Sequence, residues 1–250
     1  MPMISTTAMR LTVLLSFLTL AQGNGKNPVG TKPDPWVSAA PLIVGAVCRD
    51  GVALVAVHSK TDDDNDDENW LENYRDSVRI HPIDSEGTAL LCAGWRTDAE
   101  WLSQKCRSIS RTEIQTFGTP SSHLLAEEAS LWMAQCASSD RVRALSVVGL
   151  LASGHVLHLV DATGAYRVRA AHAVGRGAKI VNARLRNVTF DDMTAEAGVD
   201  QLLQVLRQEG DDDEWQPLAN ETRVELAFVD SEKKHLQRIR QPFLVARKTS

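Results

Sequence analysis

Two long apolar runs separated by a tight turn constrain the fold of this chain more than any other feature. The stretch APLIVGAVCRDGVALVAVHSK, residues 40–60, is apolar almost without interruption on both sides of Arg49-Asp50-Gly51. Asp-Gly is a pair that favours tight hairpin turns. Strands that face water on one side alternate apolar and polar residues, so these runs predict strands covered on both faces. The sequence therefore predicts a buried hairpin that other layers enclose.

Composition and charge limit the classes of protein that this chain can represent. It has 250 residues, of which 43% are hydrophobic and 24% charged, as in ordinary globular domains. The net charge is -5, so the chain has no excess of basic residues, which argues against nucleic acid as the main partner. We expect the acidic runs at 61–68 and 211–214 to be solvated loops, since the first lacks the central glycine of a calcium-binding loop.

The four cysteines do not indicate a metal site. None forms a Cys-x-x-Cys pair or lies in a His/Cys cluster, so we predict no zinc site. Cys48 and Cys92 lie in strand-like runs, whereas Cys106 and Cys136 lie in helix-like runs. Free cysteine behaves as a small hydrophobic residue, so buried free thiols are favoured over disulfides.

Strand and helix patterns follow the hairpin in separate groups. SVRIHPID and GTALLCAG predict a strand pair joined by Ser85-Glu86-Gly87. A helix follows with Asp98 as its N-cap and with Trp101, Leu102 and Cys106 on one buried stripe. A second helix is predicted from Thr119-Pro120. Its core positions recur at helical spacing: Leu125, Ala129, Trp132 and Cys136.

The second half of the chain repeats this grouping. Residues 143–175 predict three strands with turns at Ser153-Gly154 and at Ala162-Thr163-Gly164. Two amphipathic helices, AKIVNARLRN and MTAEAGVDQLLQVLRQ, come next, and RVELAFVD is predicted as the last strand. Segregated strands and helices predict an α+β fold in which sheets pack on one another and helix pairs cover them.

The N-terminal segment admits two interpretations. Arg10 precedes LTVLLSFLTLAQG, which has the layout of a secretory signal and is too short to span a bilayer. The sequons at Asn187 and Asn220 are compatible with a secreted, glycosylated chain. A mis-assigned start is the rival interpretation. We divide the chain into a signal-like or mis-assigned segment (1–23), an irregular lead-in (24–40) and a single domain (41–250).

Six stretches, in the same order and at roughly the same spacing, resemble the proteasome subunit family of the N-terminal-nucleophile hydrolase fold. They are VGAVCRDGVALVAVHSK, VRIHPID, CAGWRTDAEWLSQKCR, HLVDATGAY, AHAVGRGAK and VELAFVD, and they span residues 42–230. The last two are closest to α-type subunits. The resemblance implies a four-layer αββα sandwich of two mostly antiparallel sheets flanked by helix pairs. It assigns turn and junction roles to Asp50, Gly51, Gly94, Asp98, Asp161, Gly164, Tyr166, Gly175 and Gly177.

The resemblance also implies that this chain does not hydrolyse peptides. Catalytic members use an N-terminal threonine exposed by processing, together with an aspartate and a lysine. With Gly51 as the anchor, these positions fall on Pro41, Val57 and Arg79. Proline has no hydroxyl, valine has no charge, and arginine stays protonated. The sequence has no Gly-x-Ser-x-Gly, P-loop or His-Glu-x-x-His motif, and we expect no cofactor. His155 and His158 are expected to be packed or exposed and not to be ligands.

A non-catalytic member of this family resembles an α-type subunit of the 20S core. That implies neighbouring α and β subunits and proteasome activators as partners, in the cytoplasm and nucleus. Arg79 matches a lysine that pairs with the terminal carboxylate of an activator tail, although a surface arginine paired with a nearby acid is an equal interpretation. The Tyr-Asp-Arg and Gln-Val-Glu-Tyr-Ala motifs of α-type N-termini do not occur in residues 1–40. The alternative is a diverged family member that acts outside the core and is secreted. A further alternative is an N-terminal-nucleophile hydrolase in which processing exposes Ser38 or Thr31 as the nucleophile.

Overall fold

The strands form two five-stranded antiparallel sheets. The computed structural model describes Val37 and residues 40–58, 78–208 and 223–239. The strands in these residues are β1 Ile43–Cys48, β2 Gly51–His58, β3 Ile80–Pro82, β4 Ala89–Gly94, β5 Val147–Ser153, β6 Val156–Asp161, β7 Gly164–Val168, β8 Ala171–Val174, β9 Arg223–Asp230 and β10 His235–Ile239. The helices are α1 Arg96–Phe117, α2 Ser122–Ala137, α3 Ala178–Leu185 and α4 Ala195–Arg207.

The predicted hairpin lies inside the first sheet. That sheet has the strand order β10-β9-β2-β1-β8, and the second sheet has the order β3-β4-β5-β6-β7. Every neighbouring pair in these two orders is antiparallel. Within the hairpin, Ile43 pairs with Ala56 and Cys48 pairs with Gly51, so Arg49 and Asp50 form the turn.

Three apolar layers confirm the four-layer αββα sandwich. The middle layer lies between the two sheets and contains Ile43 and Leu54 from the first and Leu91 from the second. A first outer layer joins the first sheet to α3 and α4, and a second outer layer joins the second sheet to α1 and α2. Alternate residues of β2 serve different layers, since Leu54 faces the middle layer and Val55 faces the first outer layer. The continuous apolar pattern of the hairpin follows from this double coverage.

The hairpin turn also fixes the start of a helix. The Asp50 Oδ1 atom accepts a hydrogen bond of 2.6 Å from the backbone N–H of Ala195, the first residue of α4. The Asp50 carbonyl accepts hydrogen bonds from the backbone N–H and the hydroxyl of Ser231 in the β9–β10 turn. Next to it, a Cβ atom on Gly51 would lie 1.8 Å from the Val229 carbonyl oxygen. Only glycine lets β9 pair this closely.

Two further motif regions act as turns or junctions. The Asp161 Oδ1 atom accepts hydrogen bonds from the backbone N–H groups of Thr163 and Gly164, which closes the β6–β7 turn. The half-exposed Tyr166 hydroxyl lies 3.2 Å from the Thr163 hydroxyl. Before α3, Gly177 occupies the N-cap position with a φ of 73°, in the left-handed region that favours glycine.

Strand β8, at one edge of the first sheet, forms hydrogen bonds with the side chain of a helix residue. The Asn182 Oδ1 atom accepts a hydrogen bond of 2.8 Å from the Ala173 N–H, and the Asn182 Nδ2 group donates one of 2.8 Å to the Ala173 carbonyl. Asn182 lies on α3, so this pair of hydrogen bonds ties α3 to the sheet.

The predicted helix starts were wrong at both α1 and α2. Helix α1 begins at Arg96, so Asp98 lies in its first turn and turns inward, and Trp95 is the N-cap. Trp101 is 54% exposed and does not join the buried stripe of Leu102. In α2 the cap is Ser121, whose hydroxyl accepts from the Leu124 N–H, and not Thr119.

The predicted strand count was also too low. The run from Tyr166 to Val174 divides into β7 in the second sheet and β8 in the first, because the chain crosses between the sheets at Arg169-Ala170. The Ala170 carbonyl accepts a hydrogen bond of 2.7 Å from the Val47 N–H, which fixes this crossing without glycine or proline. Strand β9 is followed by β10, so RVELAFVD is not the last strand.

All four cysteines are free and buried, as predicted. Burial raises the pKa of the Cys48 thiol to about 11, so the thiol stays protonated at neutral pH.

Asn187 lies exposed in a turn after α3. Residues 1–23, the acidic runs at 61–68 and 211–214, and Asn220 lie outside the described residues. No helix within the described ranges is long and apolar enough to cross a membrane.

We expect Gly51→Ala to destabilise the fold by about 3 kcal/mol or more, because its Cβ would overlap the Val229 carbonyl. The matched control is Gly154→Ala, where φ is 56° and no atom lies within 4 Å of the new Cβ. That change should cost about 1–2 kcal/mol, from left-handed backbone strain alone. Urea unfolding of the full-length variants measures both losses, and equal losses would contradict the packing argument.

Candidate functional site

The three positions matched to catalytic residues lie at one end of the sandwich. Pro41 precedes β1 by two residues, Val57 is the last residue but one of β2, and Arg79 immediately precedes β3. In the antiparallel first sheet, the start of β1 and the end of β2 meet at the same end. We call this the Pro41 end.

Backbone hydrogen bonds hold the residues on both sides of Pro41. The Ala40 N–H donates a hydrogen bond of 3.2 Å to the Val37 carbonyl, and both of these residues are buried. The Leu42 carbonyl accepts a hydrogen bond of 2.7 Å from the Val57 N–H. Pro41, which the resemblance matches to the nucleophile, is thus flanked by residues with backbone hydrogen bonds, and its own side chain has no hydroxyl.

The junction between β8 and α3 packs directly against this segment. The Arg176 N–H donates a hydrogen bond of 2.9 Å to the Ala40 carbonyl. Gly175 has a φ of 109°, and a Cβ atom there would lie 2.6 Å from the Pro41 carbonyl oxygen. The Gly-Arg-Gly stretch, Gly175 to Gly177, thus has a structural role: it lets the backbone approach Pro41 and then begin α3.

Val57 faces an apolar layer. Its side chain is 4% exposed and belongs to the first outer layer together with Leu42 and Val224. An uncharged residue fits this environment, since a carboxylate buried there would need a charged or hydrogen-bonding partner.

Arg79 places its guanidinium against the end of β4. Its Nη1 group donates a hydrogen bond of 2.8 Å to the Gly94 carbonyl, and its Nε atom is buried without a hydrogen-bond partner. Burial lowers the pKa of Arg79 from its usual value, and nearby Cys92 and Glu225 oppose that shift. Gly94 is required there, because at a φ of 130° its Cβ would lie 2.1 Å from the Ser146 carbonyl oxygen.

A partly buried carboxylate that the sequence analysis did not single out joins the two sheets at this end. Glu225 on β9 accepts hydrogen bonds of 2.8 Å from His58 Nε2, 2.8 Å from the Arg79 N–H and 3.2 Å from the Ile80 N–H. Burial raises the pKa of Glu225, but the hydrogen bonds outweigh it and hold the pKa below its usual value. The ionised carboxylate therefore fastens the start of β3 to β2 and β9.

The sequence did contain a signal for this group. Glu225 is an acidic residue between Val224 and Leu226, and the other residues between the two charged ends of this strand are apolar. Charged residues are almost never fully buried unless they are paired, so such a residue demands a partner. His58 is the last residue of the apolar β2 and meets the same condition.

The other histidines do not form a metal site. His155 is exposed, whereas His158 is 3% exposed and stacks on His123 with ring centres 5.9 Å apart. Burial lowers the pKa of His158 and keeps the imidazole neutral. Among the described residues, no group of three or more His, Cys, Asp or Glu side chains could hold a metal ion.

Comparison with known proteins identifies the family. A family model described as Proteasome subunit matches residues 37–229, which is most of the chain. The chain therefore belongs to the proteasome subunit family, and the two packed antiparallel sheets and four helices of its described residues agree with that fold. No curated protein matches the chain.

We expect Glu225→Gln to lower the free energy of unfolding by about 2 kcal/mol at pH 7, because the hydrogen bonds lose their charged acceptor. The folded-state pKa of Glu225 lies below its unfolded value, so the wild-type advantage is present above the unfolded pKa of about 4.5 and is lost as the pH falls through the folded pKa.

The matched control is Glu232→Gln in the exposed β9–β10 turn, which should change stability by less than about 0.5 kcal/mol. Urea unfolding between pH 7 and pH 3 measures both variants. If the loss of unfolding free energy in Glu225→Gln stays constant over this pH range, the charge of Glu225 is not the cause of that loss.

Proposed function

We propose that this chain is a non-catalytic, α-type structural subunit of a 20S proteasome core. It would support ring assembly and activator docking in intracellular protein degradation, including ubiquitin-dependent proteolysis, in the cytoplasm and nucleus. The observation that carries the proposal is Pro41, which has no hydroxyl and stands at the position that the resemblance matches to the nucleophile.

The side chains at the other two positions support a non-catalytic role. Val57 packs in an apolar layer and cannot orient a base. Arg79 is engaged with the Gly94 carbonyl, and a guanidinium does not accept a proton near neutral pH. The α-type assignment is supported by the resemblance of residues 171–179 and 224–230 to α-type subunits. The proposed partners are neighbouring α and β subunits and activators.

The experiment is fractionation of full-length tagged chain from its own cells. We expect the chain to sediment and migrate on native gels with a proteasome particle. A threonine-directed electrophilic probe should label catalytic subunits of that particle, which serve as the internal control, and should leave this chain unlabelled. A labelled chain would refute the non-catalytic role. A monomeric, glycosylated chain in the medium would refute the core assignment and favour the secreted alternative.

We also propose that Arg79 receives the terminal carboxylate of an activator tail. Among the residues that the structure describes, the Arg79 guanidinium forms no salt bridge, and its Nη1 group bonds only a neutral carbonyl. A guanidinium binds carboxylates through charge-assisted hydrogen bonds.

Arg79→Ala in the assembled particle should weaken binding of an activator-tail peptide by about tenfold or more, whereas Arg79→Lys should retain most of it. The control ligand is the same peptide with an amidated C-terminus, which should bind weakly to all three particles. Because Arg79 also bonds Gly94, thermal unfolding of each variant is measured alongside. An equal loss for the free and the amidated peptide would rule out carboxylate recognition.

A further inference from the structure

A buried histidine lies where α2 covers the second sheet. His158, on β6, is 3% exposed and is paired across the sheet with Leu151 of β5 and with Arg167 of β7. Residues that lie opposite each other in antiparallel strands share a face, and Leu151 belongs to the second outer layer. The His158 side chain therefore points into that layer, where α2 packs on β6.

The imidazole of His158 has contacts that suit an uncharged ring. Its Nδ1 atom is buried without a hydrogen-bond partner. The ring of His123, in the first turn of α2, stacks on it with ring centres 5.9 Å apart and planes inclined by 26°. A protonated imidazole has two N–H donors, so a proton on His158 would bury a charge together with a donor that has no acceptor.

The charged groups around His158 also disfavour a proton on its ring. Arg167 faces it from β7, and the charges of His123 and Arg167 act in the same direction. Glu127 on α2 acts in the opposite direction, but its Oε1 atom lies 3.2 Å from Nε2 of His123 and pairs with that ring. Strand β5 contributes no titratable residue, and Asp161, the other one on β6, closes the β6–β7 turn.

These contacts fix the direction in which pH acts. Burial, followed by His123 and Arg167, lowers the pKa of His158 from its usual 6.5. Any opening of α2 that lets water reach the ring restores the usual pKa, so the open state takes up a proton more readily than the closed state. The closed contact is therefore most stable above pH 6.5 and becomes weaker as the pH falls from there towards the folded pKa.

We propose that the contact between α2 and His158 is an acid-sensitive switch in the fold, in which protonation of His158 releases α2 from β6 in mildly acidic solution while α4 stays packed on the first sheet. Histidine changes its charge between pH 5 and pH 8, which makes it the common residue of pH sensors. Release of α2 would uncover apolar side chains of the second outer layer, such as Leu151 and Val160. The inference concerns contacts within the chain and does not rest on the proposed function.

Other buried histidines make a variant at His158 necessary. Burial also lowers the pKa of His81, on β3, and of His172, on β8, so acid weakens the fold at those places too. Their contributions are common to the wild type and to a variant at His158. The difference between these two chains therefore isolates His158.

The experiment is hydrogen exchange of the full-length chain at pH 7.5 and at pH 5, with each rate divided by the intrinsic rate at that pH. Between these two values, the protection of α2 amides should fall about tenfold more than the protection of α4 amides. In His158→Phe, which keeps a ring but cannot bind a proton, this difference should shrink to about twofold or less. His155→Phe is the matched control, because His155 is exposed in the β5–β6 turn, and it should behave like the wild type.

A second variant keeps the test decisive if His158→Phe does not fold at pH 7.5, which thermal unfolding reports. The side chain of His123 is 69% exposed, so His123→Gln should leave the fold intact while removing the ring that covers His158. A better hydrated His158 has a pKa nearer its usual value, so the difference between α2 and α4 should shrink to about threefold.

A difference between α2 and α4 that is present in the wild type and in His155→Phe, and is lost in His158→Phe, supports the inference. Equal losses of protection in α2 and α4 of the wild type overturn it, because they indicate unfolding of the whole domain. It is also overturned if folded His158→Phe keeps the full difference, or if His123→Gln keeps it where His158→Phe does not fold. None of these outcomes depends on whether the chain enters a particle, so the proposed function is tested separately.

Discussion

The apolar layer between the two sheets is the constraint on which the rest of the structure depends. Ile43 and Leu54 of the first sheet meet Leu91 and Leu157 of the second, and Leu157 approaches so closely that a Cβ on Gly45 would lie 2.8 Å from it. Helices cover most of the outer faces, so the side chains of the central strands are largely enclosed, whereas β7 and β10 at the sheet edges keep exposed side chains. The charged groups Arg79 and Glu225 accordingly lie at one end of the sandwich.

At the Pro41 end, the residues that match the family motifs serve the packing of the backbone, whereas those that depart from the motifs do not. Gly94 and Gly175 permit close backbone contacts that any side chain would block. Under the proposed non-catalytic function, Pro41 and Val57 stand where a hydroxyl and a carboxylate would serve only the reaction. Their replacement leaves these backbone contacts in place, and Glu225 supplies a cross-sheet carboxylate from a different strand.

Most of the layer arrangement was predictable from the sequence, because apolar periodicity and turn residues are local signals. The hairpin, the four helices and the buried thiols followed from such patterns. The failures involve partners distant in sequence. Asp98 is a residue type that commonly caps helices, but here it binds Arg143, 45 residues later in the chain. The crossing at Ala170 is likewise fixed by a hydrogen bond from Val47. The Glu225 cluster combines three segments of the chain, so no single stretch of sequence displays it.

The two hydrogen bonds between Asn182 and Ala173 have a consequence for how this chain associates. An exposed edge strand offers unpaired N–H and carbonyl groups to any extended segment, including an identical edge on another molecule. The Asn182 amide occupies the outward N–H and carbonyl of Ala173 and so imitates the next strand of the sheet. A further strand would have to displace it at that residue. At Ala173 the sheet cannot simply be extended by backbone pairing, so uncontrolled sheet-to-sheet polymerisation along β8 is discouraged.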